Sequence, residues 1–303
     1  MVVKLCAKLR QLAGVWFLRQ RVGGRLEDSM SLSICAVFKN EAPYLREWIE
    51  FHRIIGVGTF YLYENGSSDD WRLAVKPYIQ EGAVKIVDWS RRDRVDWRDL
   101  GWQVAAYQHF IENHRKSPDW VAFIDCDEFL FSSLSKNVLD LLEQRPFSEY
   151  GAIGVNWMCF GAGGEALFRP EPVIQRFVLR SQAMDGINAH IKSIVRMDCA
   201  LGATRSPHCF RVQGGTRGEH GEYLEGSFRF PPTHESFRIN HYLTKSREEW
   251  DRRHLGGFRV DLLCDKGKGY FEDYQKDNVS DSGILLYLPE LKRRLGLAGH
   301  DSS

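Results

Sequence analysis

Short unbroken apolar runs alternate with amphipathic stretches over the first half of the chain, the pattern of buried strands joined by crossover helices. Residues 32–38 read as a first strand. Residues 44–55 follow as a helix that opens behind Pro43 and stops at Gly56, with Leu45, Trp48, Ile49, His52 and Ile55 sharing one face. A second strand at 59–63 leads into Asn65, Gly66, Ser67, Ser68 and Asp69, a turn rich in capping residues that precedes a helix over about 70–80. A third strand at 84–87, a helix over 102–113 and a fourth strand at 121–124 come next. A helix near 138–144 and a strand at 152–157 continue the alternation. The pattern then loosens, with strands at 191–197, 209–213 and 237–242, a helix at 246–255, and an exposed loop or hairpin over 214–232. The expected class is α/β: a mostly parallel, Rossmann-like sheet with crossover helices, in a single domain whose second half is irregular.

The fourth strand ends abruptly in acid. Val121 to Ile124 is apolar, and Asp125, Asp127 and Glu128 follow before the chain turns apolar again. In an open α/β sheet, ligands bind at the C-terminal ends of the strands, where an Asp-X-Asp offers hard oxygens to a divalent cation bridging substrate phosphates. The competing reading is a turn with solvated acids. Three acids in four residues between apolar runs repel one another unless a cation lies near, which favours the metal reading.

Four further segments accompany this one in a fixed order: Lys39-Asn40-Glu41, Asn65 to Asp69, Phe160 to Gly164, and Asn240 to Ser246. Together with Trp120 to Phe129 they span about residues 31–257. The ordered set resembles nucleotide-sugar glycosyltransferases of the GT-A type, the family-92 enzymes and the neighbouring family-2-like bacterial group in particular. A lone Asp-X-Asp would carry far less. The resemblance implies a metal-dependent, inverting enzyme that moves a sugar from a nucleotide-sugar donor, a UDP-sugar first of all, to a glycan or lipid-linked glycan. Such an enzyme would serve polysaccharide biosynthesis.

Residue by residue, the resemblance makes Asp127 the direct ligand of Mn2+ or Mg2+, with Asp125 reaching the ribose or the ion through water. His241 would complete the metal site, and Lys245 would meet the diphosphate as a point charge. Glu128 either supports the ion from behind or caps the next segment. Glu41, Glu64 and Asp69 match acids that hold uridine, although helix capping would serve Asp69 equally and surface exposure the other two. Phe160, Gly161, Gly163 and Gly164 resemble a glycine loop near donor and acceptor, where Trp157, Phe160 and Tyr242 could stack on sugar faces. The base is open among Glu165, Asp185, Asp198 and Glu235. Two other readings stand beside this one: a noncatalytic binding module for nucleotide-sugar or glycan, and an Asp-X-Asp phosphatase, which Glu128 and Phe129 after Asp127 disfavour.

Composition narrows the rest. The 303 residues carry 41 basic and 40 acidic side chains, so no overall field argues for a nucleic-acid partner. Seven cysteines, an odd number without a Cys-X-X-Cys pair, point to reduced buried thiols in a cytoplasmic setting. Residues 1–28 form a basic segment in which Leu5, Leu9, Leu12 and Trp16 share a helix face; it either lies on an anionic inner membrane surface or docks on the domain. Residues 29–257 are the expected GT-A domain. Residues 258–303 form a tail packing on or near the active site.

Overall fold

A computed structural model of the chain describes residues 30–90, 101–115, 117–255 and 270–297. The basic segment 1–28 lies outside them. All seven residues of β1 (Leu32–Phe38) are buried, as an apolar run covered on both faces requires. Its side chains alternate as a strand must, with Ile34, Ala36 and Phe38 entering the core on one side of the sheet and Cys35 and Val37 entering it on the other.

Helix α1 (Ala42–Ile54) starts with Pro43 in its first turn and buries Leu45, Trp48, Ile49 and Phe51. It ends at Gly56, whose φ of +102° suits glycine, and the Asn137 side chain packs where a Cβ would sit. β2 (Val57–Glu64) then runs parallel to β1, ending with Glu64 opposite Phe38. Helix α2 (Trp71–Gln80) crosses to β3 (Val84–Asp88), parallel to β2, and α3 (Trp102–Asn113) crosses back to β4 (Trp120–Phe123), parallel to β1. Four strands thus deliver their C-terminal ends to one edge. Helix α3 covers one face of this sheet with Tyr107 and Phe110 against Phe123, while Trp48 and Phe60 fill the other.

The chain then reverses direction. β5 (Glu128–Phe131) and α4 (Val138–Leu142) precede β6 (Ala152–Cys159); after α5 (Val173–Arg176) and β7 (Leu179–Arg180), β8 (Ile191–Arg196) inserts antiparallel between β4 and β6. β9 (Ala200–Ala203) and β10 (Phe210–Val212) pair as a separate ribbon. The expected hairpin at 214–232 contains β11 (Thr216–Arg217) and β12 (Tyr223–Leu224), and β11 extends the main sheet beside β6. The main order is β12-β11-β6-β8-β4-β1-β2-β3. This is the α/β class with a mostly parallel sheet that the pattern predicts.

β13 (Arg238–His241) lies antiparallel to β5 and parallel to β6, which sets His241 opposite Glu128 on one neighbour and Cys159 on the other. α6 (Arg247–Leu255) follows. In the C-terminal stretch, α7 (Tyr270–Tyr274), β14 (Val279–Ser280), which pairs with β7, and α8 (Leu288–Leu295) give it regular structure. Tyr287 packs on Phe51 of α1 and Arg294 reaches Glu50, so this stretch covers the outer face of α1. Cys35, Cys126, Cys159, Cys199 and Cys209 are free and buried.

His52 is fully buried on α1, its Nδ1 2.8 Å from the Trp48 carbonyl, and its Nε2 accepts the Leu130 N–H at 3.2 Å. One ring nitrogen therefore donates and the other accepts, which fixes a neutral imidazole. Burial pushes its pKa down to about 3. A depressed histidine stabilises fully above its unfolded value near 6.5 and loses that contribution as pH falls toward 3, by about 1.4 kcal/mol per pH unit. Denaturant unfolding at pH 5 should therefore show a lower midpoint than at pH 7. A midpoint that does not move would refute the neutral assignment.

Candidate active site

Asp125 and Asp127 sit in the turn between β4 and β5, and Glu128 closes that turn: its Oε2 accepts the Asp125 N–H at 2.9 Å, while its own N–H donates to the Asp125 carbonyl at 3.1 Å. Trp48 of α1 holds the turn from below, its Nε1 donating to the Glu128 carbonyl at 2.8 Å. Glu128 is buried under the turn and its Oε1 has no partner. The two aspartates meet different surroundings. Asp125 accepts from Lys192 Nζ at 2.8 Å and from Gln103 Nε2 at 2.5 Å. Asp127 accepts from Arg253 of α6 at 2.5 Å through Oδ2, lies 3.7 Å from His241 Nε2 through the same oxygen, and keeps Oδ1 without a partner.

His241 is buried, and its Nδ1 also lacks a partner. The sequence placed an acid and an imidazole of the right kinds far apart in the chain, and the β5–β13–β6 register brings them together. Among the described residues no three His, Cys, Asp or Glu side chains are gathered to hold an ion. Asp127 and His241 could serve a divalent cation as a pair of protein donors, one carboxylate oxygen and one imidazole nitrogen.

Charge in this turn is balanced by burial and by cations. Burial pushes the Asp127 carboxyl up, but the Arg253 guanidinium, joined by His241 and Lys245, outweighs it and holds the group well below the usual carboxylate range. Glu128 goes the other way: burial raises it well above its usual value, with Lys192 opposing and the charges of Asp125 and Asp127 adding to the rise. Two neighbouring acids are thereby driven in opposite directions, Asp127 toward the ionised form and Glu128 toward the protonated one.

Beside the turn, a cleft of about 450 Å³ opens between the ends of β1 and β2, the segment before α6 and one side of α6, lined by Lys39, Glu41, Asp69, Lys245 and Arg253 among others. Asn40 takes a φ of +56°, which lets its Oδ1 accept the N–H groups of Ser68 at 2.7 Å and Asp69 at 3.2 Å. Asp69 returns the contact, accepting the Ala42 N–H at 2.8 Å, and Glu64 accepts the Ser67 N–H. These bonds stitch the two loops into one wall of the cleft, and Asp69 Oδ1 remains without a partner. Glu41 is buried next to Asp127's counter-ion, 4.0 Å from Arg253, and burial raises its carboxyl. Lys245 is held at a φ of +50° with its ammonium 4.3 Å from the Tyr44 ring centre.

Trp157 lies against His241, with ring centres 4.2 Å apart, and stacks on His190 at 4.6 Å. Phe160 is buried against Tyr242 and serves the core, where no sugar face could reach it. Phe228, 59% exposed, packs on His190 and completes a series of rings from solvent to His241. Gly161 sits where a Cβ would run into the Asp277 carboxylate; Gly163 and Gly164 take positive φ, and the Gly163 N–H donates to Asp277 at 3.1 Å. The C-terminal stretch therefore also braces the glycine loop.

The four candidate bases are dispersed. Glu165 is tied to Arg169 and Arg176, and Asp198 pairs with Arg196, which lies opposite Trp120 at the far end of β4 from the acidic turn. Asp185 accepts the Ile187 N–H and lies 3.5 Å from Lys276. Glu235 is largely exposed, 3.9 Å from His220. Three contributors to the site carry no motif: Lys192, Gln103 and Arg253. Lys192 left one trace, a single cation inside the otherwise uncharged core of the apolar strand Ile191–Arg196. Arg253 left none, as one arginine among several on a polar helix.

A chain with this geometry has relatives. A glycosyltransferase family 92 protein of Oryza sativa subsp. japonica is 33% identical over 173 residues, covering 55% of this chain and 27% of the relative. One of Ricinus communis is 28% identical over 145 residues, 48% of this chain and 25% of the relative. The chain thus spans about a quarter of the length of these two. Among solved structures, Staphylococcus aureus TarS in complex with UDP is 13% identical with a TM-score of 0.35, covering 55% of this chain and 47% of that one. Glucosyl-3-phosphoglycerate synthase from Mycobacterium tuberculosis, in complex with Mn2+, UDP and glucosyl-3-phosphoglycerate, is 21% identical with a TM-score of 0.29, covering 42% and 44%. The sequence profile named glycosyltransferase family 92 matches residues 28–198, which include β1, the stitched loops, the acidic turn and Lys192. That match takes in more than half of the chain, and the chain belongs to glycosyltransferase family 92.

Proposed function

We propose that this chain transfers a sugar from a UDP-sugar to a hydroxyl of a glycan or lipid-linked glycan, with a divalent cation held at Asp127 and His241. The observation that carries this reading is the buried pair itself: a carboxylate kept ionised, with one oxygen unpartnered, beside an imidazole whose Nε2 is 3.7 Å away, at the strand edge that borders the cleft. Mn2+ or Mg2+ bound there would neutralise the negative charge that builds on the departing diphosphate.

The chain's own residues divide the remaining work. Lys245 and Arg253 line the cleft where the diphosphate would lie, and the wall of Asn40, Glu41 and Asp69 would hold the nucleoside, with the unpartnered Asp69 Oδ1 offering an acceptor to a hydroxyl or imino N–H. Asp125 is held rigid by Lys192 and Gln103, which suits it to orient a ribose rather than to travel with an ion. The ring series from Phe228 to Trp157 gives the acceptor side apolar faces of the kind that sugars stack against. Inverting transfer calls for one carboxylate to take the acceptor proton. With Glu165 locked by two arginines and Asp198 at the far end of β4, Asp185 and Glu235 are the remaining candidates.

His241→Ala tests the metal assignment directly. Activity should then require about tenfold or more Mn2+ to reach its half-maximum, because one of two protein donors is gone. An unchanged metal titration would return His241 to a packing role against Trp157.

A further inference from the structure

Asp125 and Asp127 are both neutralised by cations, but by cations of different freedom. The Lys192 side chain is 1% exposed and caught between Asp125 at 2.8 Å and Glu128 at 3.6 Å. The Arg253 side chain is 28% exposed, belongs to the last turn of α6, and reaches Asp127 from the open side of the cleft. Its target is a carboxylate 1% exposed, a charge that so dry a place does not leave without a counter-ion. The oxygen it grips is the one that faces His241 Nε2. A guanidinium and a metal ion shared by Asp127 and His241 would therefore compete for that oxygen.

Building on the metal reading of the site, we infer that Arg253 and a divalent cation occupy Asp127 alternately. Arg253 is the resident counter-ion of the ligand-free chain, and an incoming ion must displace it. The displaced guanidinium remains tethered to α6 over a cleft that Lys245 and Arg252 also line, so a diphosphate arriving with the ion supplies the anion that Arg253 has lost. Metal and nucleotide then bind as a coupled pair, each weak without the other, because the coupling acts equally in both directions.

The test is Mn2+ binding to the full chain without nucleotide, read by calorimetry and by the rise in melting temperature. Arg253→Gln should bind Mn2+ about tenfold tighter than the parent and gain more melting temperature from it, since the competitor is gone. The same variant should bind UDP more weakly in saturating Mn2+, an effect of opposite sign that general loss of structure cannot produce. Arg253→Lys, which keeps the charge with one fewer point of attachment, should fall between the two and serves if the glutamine variant does not fold. Mn2+ affinity that is unchanged or lower in both variants overturns the inference. If UDP still binds tightly with Mn2+ in the parent, only the alternation falls; if neither protein takes up Mn2+ with or without UDP, the metal reading falls with it.

Discussion

Asp127→Asn should abolish the dependence of UDP binding on metal. In the parent chain, UDP should bind on the order of 100-fold more tightly with Mn2+ than with chelator, and in the variant the two affinities should converge. The amide keeps the shape of the side chain but removes the charge that neutral donors cannot replace at a cation. Folding should suffer less than the burial of Asp127 suggests, because its partner Arg253 is partly exposed and can turn to solvent once the carboxylate is lost. Calorimetry with and without chelator gives the answer, and equal UDP affinity in the parent under both conditions would remove Asp127 from the centre of the site.

Lys192→Met should cost about 3–5 kcal/mol of stability at neutral pH, the ordinary result of removing one partner from a buried ionic cluster. Met fills the space, yet Asp125 and Glu128 lose the ammonium that lies 2.8 and 3.6 Å from them. The loss has a characteristic pH dependence. Lys192 opposes the rise of the Glu128 carboxyl, so its removal drives that carboxyl higher still in the folded chain. A carboxyl raised in the folded state binds its proton more tightly there than in the unfolded chain, so it favours folding as pH falls toward its unfolded value near 4.3. The gap between variant and parent should therefore narrow on acidification from pH 8 to pH 5. A gap under about 1 kcal/mol that does not change with pH would mean that Lys192 is a spectator.

The two variants probe features of different legibility. Asp125, Asp127 and the strand that precedes them were readable because burial on both faces demands an unbroken apolar run, and charge just past its end stands out against it. Helix α3 was likewise legible to the residue, at Trp102–Asn113, and β1 at Leu32–Phe38. The second half was less so. β11 and β12 are two residues each, too short for any period to show, and they hold to the sheet by pairing rather than by propensity.

Within the site, local pattern specified the residue types and the fold specified their partners. The sequence determined that acids end β4, that an imidazole ends β13 and that capping residues follow β2, because each is a local consequence of a strand stopping. Only the tertiary structure decided that Phe160 goes to the core, that Glu165 belongs to two arginines, and that the two aspartates take different cations. Asp125 and Lys192 are 67 residues apart, and Asp127 and Arg253 are 126 apart. Electrostatic pairing depends on distance in space and on the exclusion of water, and neither is set until β8 inserts beside β4 and α6 closes over the turn.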